Sequence, residues 1–252
     1  MITIKSESEL KLMRISGRVV GQALIELGKR IKPGVTTLDL DKFTYDFFKK
    51  NDCVPAFLGY HGYPATICTS VNDQVVHGIP GKRVLEEGDI VGIDIGAFYK
   101  GYCGDSARTF GVGKIDPEVK RLLEITFESL NKGIEQCRVG RRISDIGHAV
   151  EDYVEKFGFS VVKDYVGHGI GQAMHEEPQV PNYGRPNQGP QIVEGMCLAL
   201  EPMINMGTDE VKVLEDGWTV VTKDGRFSAH FEDTVAILPE GPENLTRIDQ
   251  TP

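Results

Sequence analysis

The chain has 252 residues (27.8 kDa), 40% hydrophobic and 26% charged, which is enough to bury a full core as one large domain or two small ones. Its net charge of −9 argues against non-specific nucleic-acid binding, and the basic groups Lys29, Arg30 and Lys32, or Arg141 and Arg142, read first as solvated helix ends. No run of about 18 apolar residues could span a bilayer, and the opening MITIKSESELK lacks the character of a signal or transit peptide, so a cytoplasmic protein without a membrane partner is expected.

Ser6 and Glu9 form a capping box ahead of a first helix, in which Leu10, Met13, Val20, Leu24, Leu27 and Ile31 recur at helical spacing until Pro33 and Gly34. A second helix is predicted over about Thr37 to Lys50, with Leu40, Phe43 and Phe47 on one side. The stretch 51–64, carrying LGYHGYP, is a loop with glycines, prolines and ring side chains close together. Strands read at Thr66 to Val71 and across the run Ile90 to Phe110. Asp116 caps a third helix with Pro117 at its first position and Val119, Leu123, Phe127, Leu130 and Ile134 as its stripe. Ser144 caps a fourth, with Ile146, Val150, Val154 and Phe157 inward and Gly158 ending it. Further strands are predicted at Phe159 to Lys163, Cys197 to Asn205, Val211 to Leu214, Trp218 to Thr222 and Phe227 to Leu238, and the polar tail 239–252 is expected to fray. Two helices then strands, twice over, suggest two similar halves, about 1–114 and 115–238, in one compact domain with a curved antiparallel sheet covered by helices. The five cysteines, Cys53, Cys68, Cys103, Cys137 and Cys197, are an odd number without a C-x-x-C pair, and read as free thiols.

The run IVGIDIGAFYKGYCGDSART raises the first chemical question, because Asp94 and Asp105 sit inside an otherwise apolar hairpin. With a two- or four-residue loop around Lys100 and Gly101, residue 94 lies opposite 107, and the two acids share one face as diagonal neighbours. Half-buried carboxylates so placed repel and lose hydration unless a cation lies between them. Each Asp could instead cap a bulge or pair with a surface lysine, and a three-residue loop would put them on opposite faces. His168 lies in GHGIG, where glycines let the backbone come close to something while the imidazole points at it; a locally hydrogen-bonded loop histidine is the alternative. Glu201 follows the apolar strand CLALE with no basic residue near it in sequence. Glu232 falls on the face shared by Ser228, His230 and Thr234, which could also be simply the wet one. Four carboxylates would balance two divalent cations and leave one neutral His as nitrogen ligand. Such an oxygen-rich set suits a catalytic pair of Mn, Fe, Co or Zn ions and amide hydrolysis.

The stretches LGYHGYP, NDQVVHGIP, DIVGIDIG, YCGDSARTF, GHGIGQAMHEEPQVPNYG, MCLALEPM and AHFEDTV together resemble the type I methionine aminopeptidases, and the resemblance spans nearly the whole chain. It implies the α+β pita-bread fold and a monomer that removes the initiator methionine from nascent proteins when the second residue is small. It further implies that Asp94, Asp105, His168, Glu201 and Glu232 hold two metals, with Asp105 and Glu232 shared between them and Glu201 acting as general base for the attacking water. His77 and His175 match the two histidines that contact substrate, His175 at the scissile carbonyl. Tyr60, Tyr63, Cys68, Met203 and Trp218, together with Phe57 and Met174, match the wall of a slot for an unbranched thioether, although each could equally be plain core. The short interval from Glu201 to Glu232 leaves no room for the insert of type II enzymes, and nothing long enough for a zinc-binding extension or a further domain precedes the first helix. Transient ribosome association fits such an enzyme. A non-catalytic binding protein on the same scaffold and an X-Pro peptidase are the competing readings.

Overall fold

The computed structural model describes residues 1–248; the end of the tail, 249–252, lies outside the described residues. Four helices form where periodicity places them: α1 (Glu7–Gly28), α2 (Thr37–Lys50), α3 (Pro117–Ile134) and α4 (Ile143–Glu155). The strands in chain order are β1 (Val54–Pro55), β2 (Cys68–Val71), β3 (Gln74–Val76), β4 (Ile90–Tyr99), β5 (Tyr102–Gly111), β6 (Ser160–Val161), β7 (Gly167–Gly169), β8 (Glu176–Val180), β9 (Cys197–Leu200), β10 (Met203–Asn205), β11 (Val211–Val213), β12 (Val220–Thr222), β13 (Ser228–His230), β14 (Glu232–Leu238) and β15 (Gly241–Asn244). Nine of them make one antiparallel sheet in the order β1-β4-β5-β14-β9-β7-β8, with β2 also on β4 and β15 also on β14. Two three-stranded sheets, β13-β10-β6 and β11-β12-β3, flank it.

Helices cover the sheet in two groups. Val20, Leu24 and Leu27 of α1 and Leu40 and Phe48 of α2 pack on Val91, Ile93 and Ile95 of β4. In the second group Leu122 and Leu130 of α3 and Ile146 and Val150 of α4 pack on Leu198, Leu200, Val235 and Ile237. The α1 contact is unusually close: a Cβ on Gly17 would lie 2.5 Å from the carbonyl oxygen of Leu245, and one on Gly104 of β5 would lie 2.7 Å from the Gly17 nitrogen. Glycine at both positions lets helix, hairpin and tail touch backbone to backbone.

Several expectations need correction. α1 ends at Gly28, before Pro33; a Cβ at Gly28 would sit 2.8 Å from the Phe110 ring, so glycine lets the helix end lie against it, and Ile31 beyond the helix is buried in the core. In α2 Phe48 is fully buried, while Phe43 and Phe47 are partly buried beside Leu40, and in α3 Leu122 is fully buried, while Leu123, Phe127 and Ile134 are partly buried beside Val119 and Leu130: each inward stripe holds and is one residue wider than periodicity drew it. α4 is capped at Arg142, whose N–H donates to the Asp145 carboxylate at 2.9 Å, while Ser144 lies inside the first turn and its hydroxyl accepts from the Gln188 N–H at 2.6 Å. The strand predicted over Cys197 to Asn205 breaks at Glu201–Pro202, where proline removes a ladder donor, and that over Phe227 to Leu238 breaks at Phe231. The tail is not frayed as far as residue 248. Its β15 pairs with β14, Leu245 and Thr246 are buried, and Thr246 and Arg247 both donate to the carboxylate of Asp233.

Candidate metal centre and substrate cavity

The two-residue turn Lys100–Gly101, both residues at positive φ, fixes the hairpin register that places Asp94 opposite Ala107 and Gly96 opposite Asp105. Because directly opposed residues share a face, the ladder continues into two rows two residues apart. One row runs Asp94, Ala107, Glu232; the other runs Gly96, Asp105, Thr234, Ala199, His168. Glu201 lies two residues beyond Ala199, just past the end of β9, on the same side. Small residues between the acids keep the rows open: a Cβ on Gly96 would sit 2.8 Å from the Phe57 ring and 3.2 Å from Asp105 Oδ1. Thr234 locks Asp105 by accepting from its N–H at 3.0 Å and donating to its carbonyl at 2.8 Å.

The charge balance of this face is the test of whether a cation belongs there. Asp105 and Glu232 are buried, and one oxygen on each of Asp94, Asp105 and Glu232 has no hydrogen-bond partner. Burial, reinforced by the neighbouring carboxylates, pushes Asp94 up to about 7 and Asp105 and Glu232 well above the usual carboxylate range, and burial alone pushes Glu201 up to about 8. Asp233, one residue from Glu232 but on the opposite face, shows the contrast. It is as deeply buried, yet the Arg108 and Arg247 guanidiniums, each 2.6 Å away, outweigh that burial and hold its pKa below the ordinary value. No lysine or arginine makes an ion pair with the four cavity acids among the described residues. Donor atoms of Asp105, His168 and Glu232 lie within 4.8 Å of one another. Nδ1–H of His168 donates to its neighbour's carbonyl at Gly169 (2.9 Å), which leaves the Nε2 lone pair facing the acids, and burial pulls its pKa down to about 3, so the ring stays neutral. This donor set fits divalent metal.

Above the acids opens a cavity of about 190 Å³. Asp94, Asp105, His168, Glu201 and Glu232 line it, together with His77, His175 and the expected wall residues Phe57, Tyr60, Tyr63, Cys68, Met174 and Trp218. Tyr63 meets Trp218 edge to face with ring centroids 5.0 Å apart. Met203 is the exception: it starts β10 after Pro202 and turns into a separate core with Val75, Val76, Val162 and Val220, so it does not line the cavity. His175 Nδ1 lies 2.7 Å from the Tyr60 hydroxyl, and its ring centroid is 4.2 Å from that of His168. His77 is held at φ +60°, ahead of a glycine whose Cβ would strike the Thr69 carbonyl at 2.2 Å, and burial draws its pKa down to about 4.

Tyr165, Val166 and Val76 also line the cavity and were not singled out from sequence; Tyr165 packs edge-on to His77, and its position three residues before the glycine-framed His168 was the available signal. His230 is a second omission. It is buried behind the site with Nε2 3.4 Å from Glu201 Oε2, and strand alternation had already put it on the face of Glu232.

Residues 11–239 match metallopeptidase family M24, and the chain belongs to that family. Over its whole length it groups with the methionine aminopeptidases. It is 56% identical to the methionine aminopeptidase of Clostridium acetobutylicum over 98% of this chain and 99% of the relative, and 53% identical to methionine aminopeptidase 1 of Bacillus subtilis over 98% and 100%. The crystal structure of the Thermotoga maritima methionine aminopeptidase matches with a TM-score of 0.97 at 47% identity, covering 98% of this chain and 100% of that one. The prolidase of Pyrococcus furiosus matches with a TM-score of 0.79 at 22% identity, over 98% of this chain but 66% of that one, and shares the fold. The fold is thus the α+β pita-bread arrangement expected from the sequence.

Proposed function

We propose that the protein is a metal-dependent methionine aminopeptidase that hydrolyses the first peptide bond of chains beginning with methionine and a small second residue. The observation that carries the reading is four carboxylates and one neutral imidazole, with no lysine or arginine paired to them among the described residues, at the floor of a cavity whose wall is aromatic and sulfur-containing. Asp94, Asp105, His168, Glu201 and Glu232 would hold two divalent ions, of Mn, Fe, Co or Zn, Asp105, His168 and Glu232 having donor atoms within 4.8 Å of one another. Such ions supply positive charge to offset the acids, Lewis-acid polarisation of a carbonyl and acidification of water.

The chain's own groups divide the remaining work. Glu201 takes the proton of the attacking water on its carboxylate and later passes it to the departing amine. Burial lowers the His175 pKa and so favours the neutral ring; in the tautomer whose Nδ1 accepts from the Tyr60 hydroxyl, the ring proton sits on Nε2, available to the scissile carbonyl oxygen as it gains charge. Phe57, Tyr60, Tyr63, Cys68, Met174 and Trp218 take up the unbranched thioether, and His77 crowds the position of the second residue. Asp94 lies directly opposite Cys68 in the β2–β4 ladder, so the slot and the acids share one rigid ladder. The chain is read as one catalytic domain, with halves of about 1–114 and 115–238, acting as a cytoplasmic monomer on nascent chains and associating only transiently with the ribosome. No helix among the described residues is long and apolar enough to cross a membrane.

Chelator-treated protein should regain methionine release from Met-Ala-Ser with Mn or Co ions and leave Ala-Pro intact. Glu201→Ala should fold and be inactive. Failure with every ion, or near-normal turnover by Glu201→Ala, overturns the reading, and preference for Ala-Pro replaces it with the X-Pro peptidase.

A further inference from the structure

The connection between β7 and β8, residues 170–175, carries Met174 and His175 into the cavity, yet its outer side faces the N-terminal segment rather than the site. Glu176, at its end, has a side chain only 11% exposed and accepts from Lys5 Nζ at 2.7 Å, from the Thr3 hydroxyl, and from the backbone N–H of Ala173 at 3.2 Å within the connection itself. Lys5 is buried, its side chain 4% exposed, and its own N–H donates to the Gly195 carbonyl at 2.8 Å. Two glycines make room for this segment. A Cβ on Gly171 would lie 2.6 Å from both Lys5 Cε and Glu176 Oε1, and one on Gly195 would lie 2.6 Å from Ile4 Cγ2. A second tie runs parallel: Gln172 Nε2 donates to the Tyr102 hydroxyl at 2.8 Å, which donates to Glu9 Oε1 at 2.7 Å in the cap of α1.

Resting on the aminopeptidase reading, we propose that Lys5 and Glu176 are positioning residues: the N-terminal segment is a strap that fixes the 170–175 connection and thereby sets His175 against the scissile carbonyl. A lysine and a glutamate this well enclosed must find each other, since an uncompensated buried charge is costly. With Glu176 also accepting from the Ala173 N–H, the pair ties the middle of the connection to its β8 end. His175 is otherwise held by side-chain contacts alone, the Tyr60 hydroxyl and the facing His168 ring, so loss of the strap loosens the backbone from which it projects. A shift of about 1 Å in a group that contacts the reacting carbonyl is worth up to roughly 100-fold in rate.

Lys5→Met, which keeps the stem and removes the charge, should lower kcat on Met-Ala-Ser roughly 10- to 100-fold with KM changed far less. In a His175→Ala background the same substitution should add no further loss, because its effect passes through that imidazole. In metal-free protein, Lys5→Met should speed hydrogen exchange at residues 170–175 roughly tenfold or more and leave the β4–β5 hairpin unchanged. Glu176→Gln gives the same comparison should Lys5→Met fail to fold. A kcat within twofold of the parent, full additivity with His175→Ala, or unchanged exchange in the connection overturns the strap. A parent protein that releases no methionine overturns the peptidase reading instead, and the exchange measurement, which needs no substrate, still decides the strap.

Discussion

Gly17→Ala separates two physical effects of opposite sign. Gly17 lies in the middle of α1, where helix propensity alone favours alanine by about 1 kcal/mol. The structure opposes it. The new Cβ would sit 2.5 Å from the Leu245 carbonyl oxygen and 2.9 Å from its carbon, and neither atom is the free end of a side chain. Restoring an ordinary contact requires the helix and tail to part by nearly 1 Å, and overpacking of this kind costs about 1–3 kcal/mol. A gap of that size also forfeits a quarter to a half of each dispersion contact along Met13, Val20 and Leu24. The net expectation is a loss of about 2 kcal/mol, or roughly 4–8 °C in Tm for a chain of this size. Urea denaturation with an unchanged slope, alongside a thermal scan, measures it. A variant as stable as the parent, or more so, would refute the backbone-to-backbone packing of α1.

Arg108→Met removes one of two guanidiniums from the fully buried Asp233 and should cost about 3 kcal/mol in urea, whereas Arg247→Met, at the more exposed end, should cost less; equal costs would contradict the assignment. Asp94 and Glu201 are pushed up to about 7 and about 8, and Asp105 and Glu232 rise well above their usual range, so each holds its proton more tightly folded than unfolded. Their contribution to stability is therefore complete below about pH 4 and is lost as pH rises through the folded values. Metal-free protein should accordingly lose Tm between about pH 5 and pH 8.5 relative to the metal-loaded form in calorimetry, and a constant difference would count against the acid cluster. Tyr60→Phe should lower kcat on Met-Ala-Ser roughly fivefold, the value of one hydrogen bond of about 1 kcal/mol orienting His175, and unchanged turnover would remove Tyr60 from that role.

The hairpin was legible because apolar alternation and a Lys-Gly turn leave few registers, and the two-residue loop puts Asp94 and Asp105 on one face as the sequence suggested. Capping chemistry likewise located α1 through Ser6 and α3 through Asp116. The cap of α4 was misplaced because a serine was preferred over the acid three residues after Arg142, which binds that backbone N–H instead. The inward stripes of α2 and α3 were legible but drawn too narrow, since spacing alone does not add Phe48 or Leu122 until a partner surface exists. The ordered tail was illegible for a related reason. Its residues are polar because Thr246 and Arg247 answer a buried carboxylate on Asp233, and no local pattern announces a charge waiting elsewhere. At the cavity, residue chemistry marked the acids, while Met203 went astray because a methionine beside Glu201 carries no sign of which way Pro202 turns it.

The floor of the cavity is assembled from two separated stretches of the chain, with Asp94 and Asp105 contributed by one and His168, Glu201 and Glu232 by the other. A chain that stops short of residue 232 therefore lacks part of the charge set on which the proposed metal centre depends. Under the proposed reading neither stretch carries hydrolytic capacity by itself: it arises where β4–β5 meets β14, β9 and β7 in one sheet.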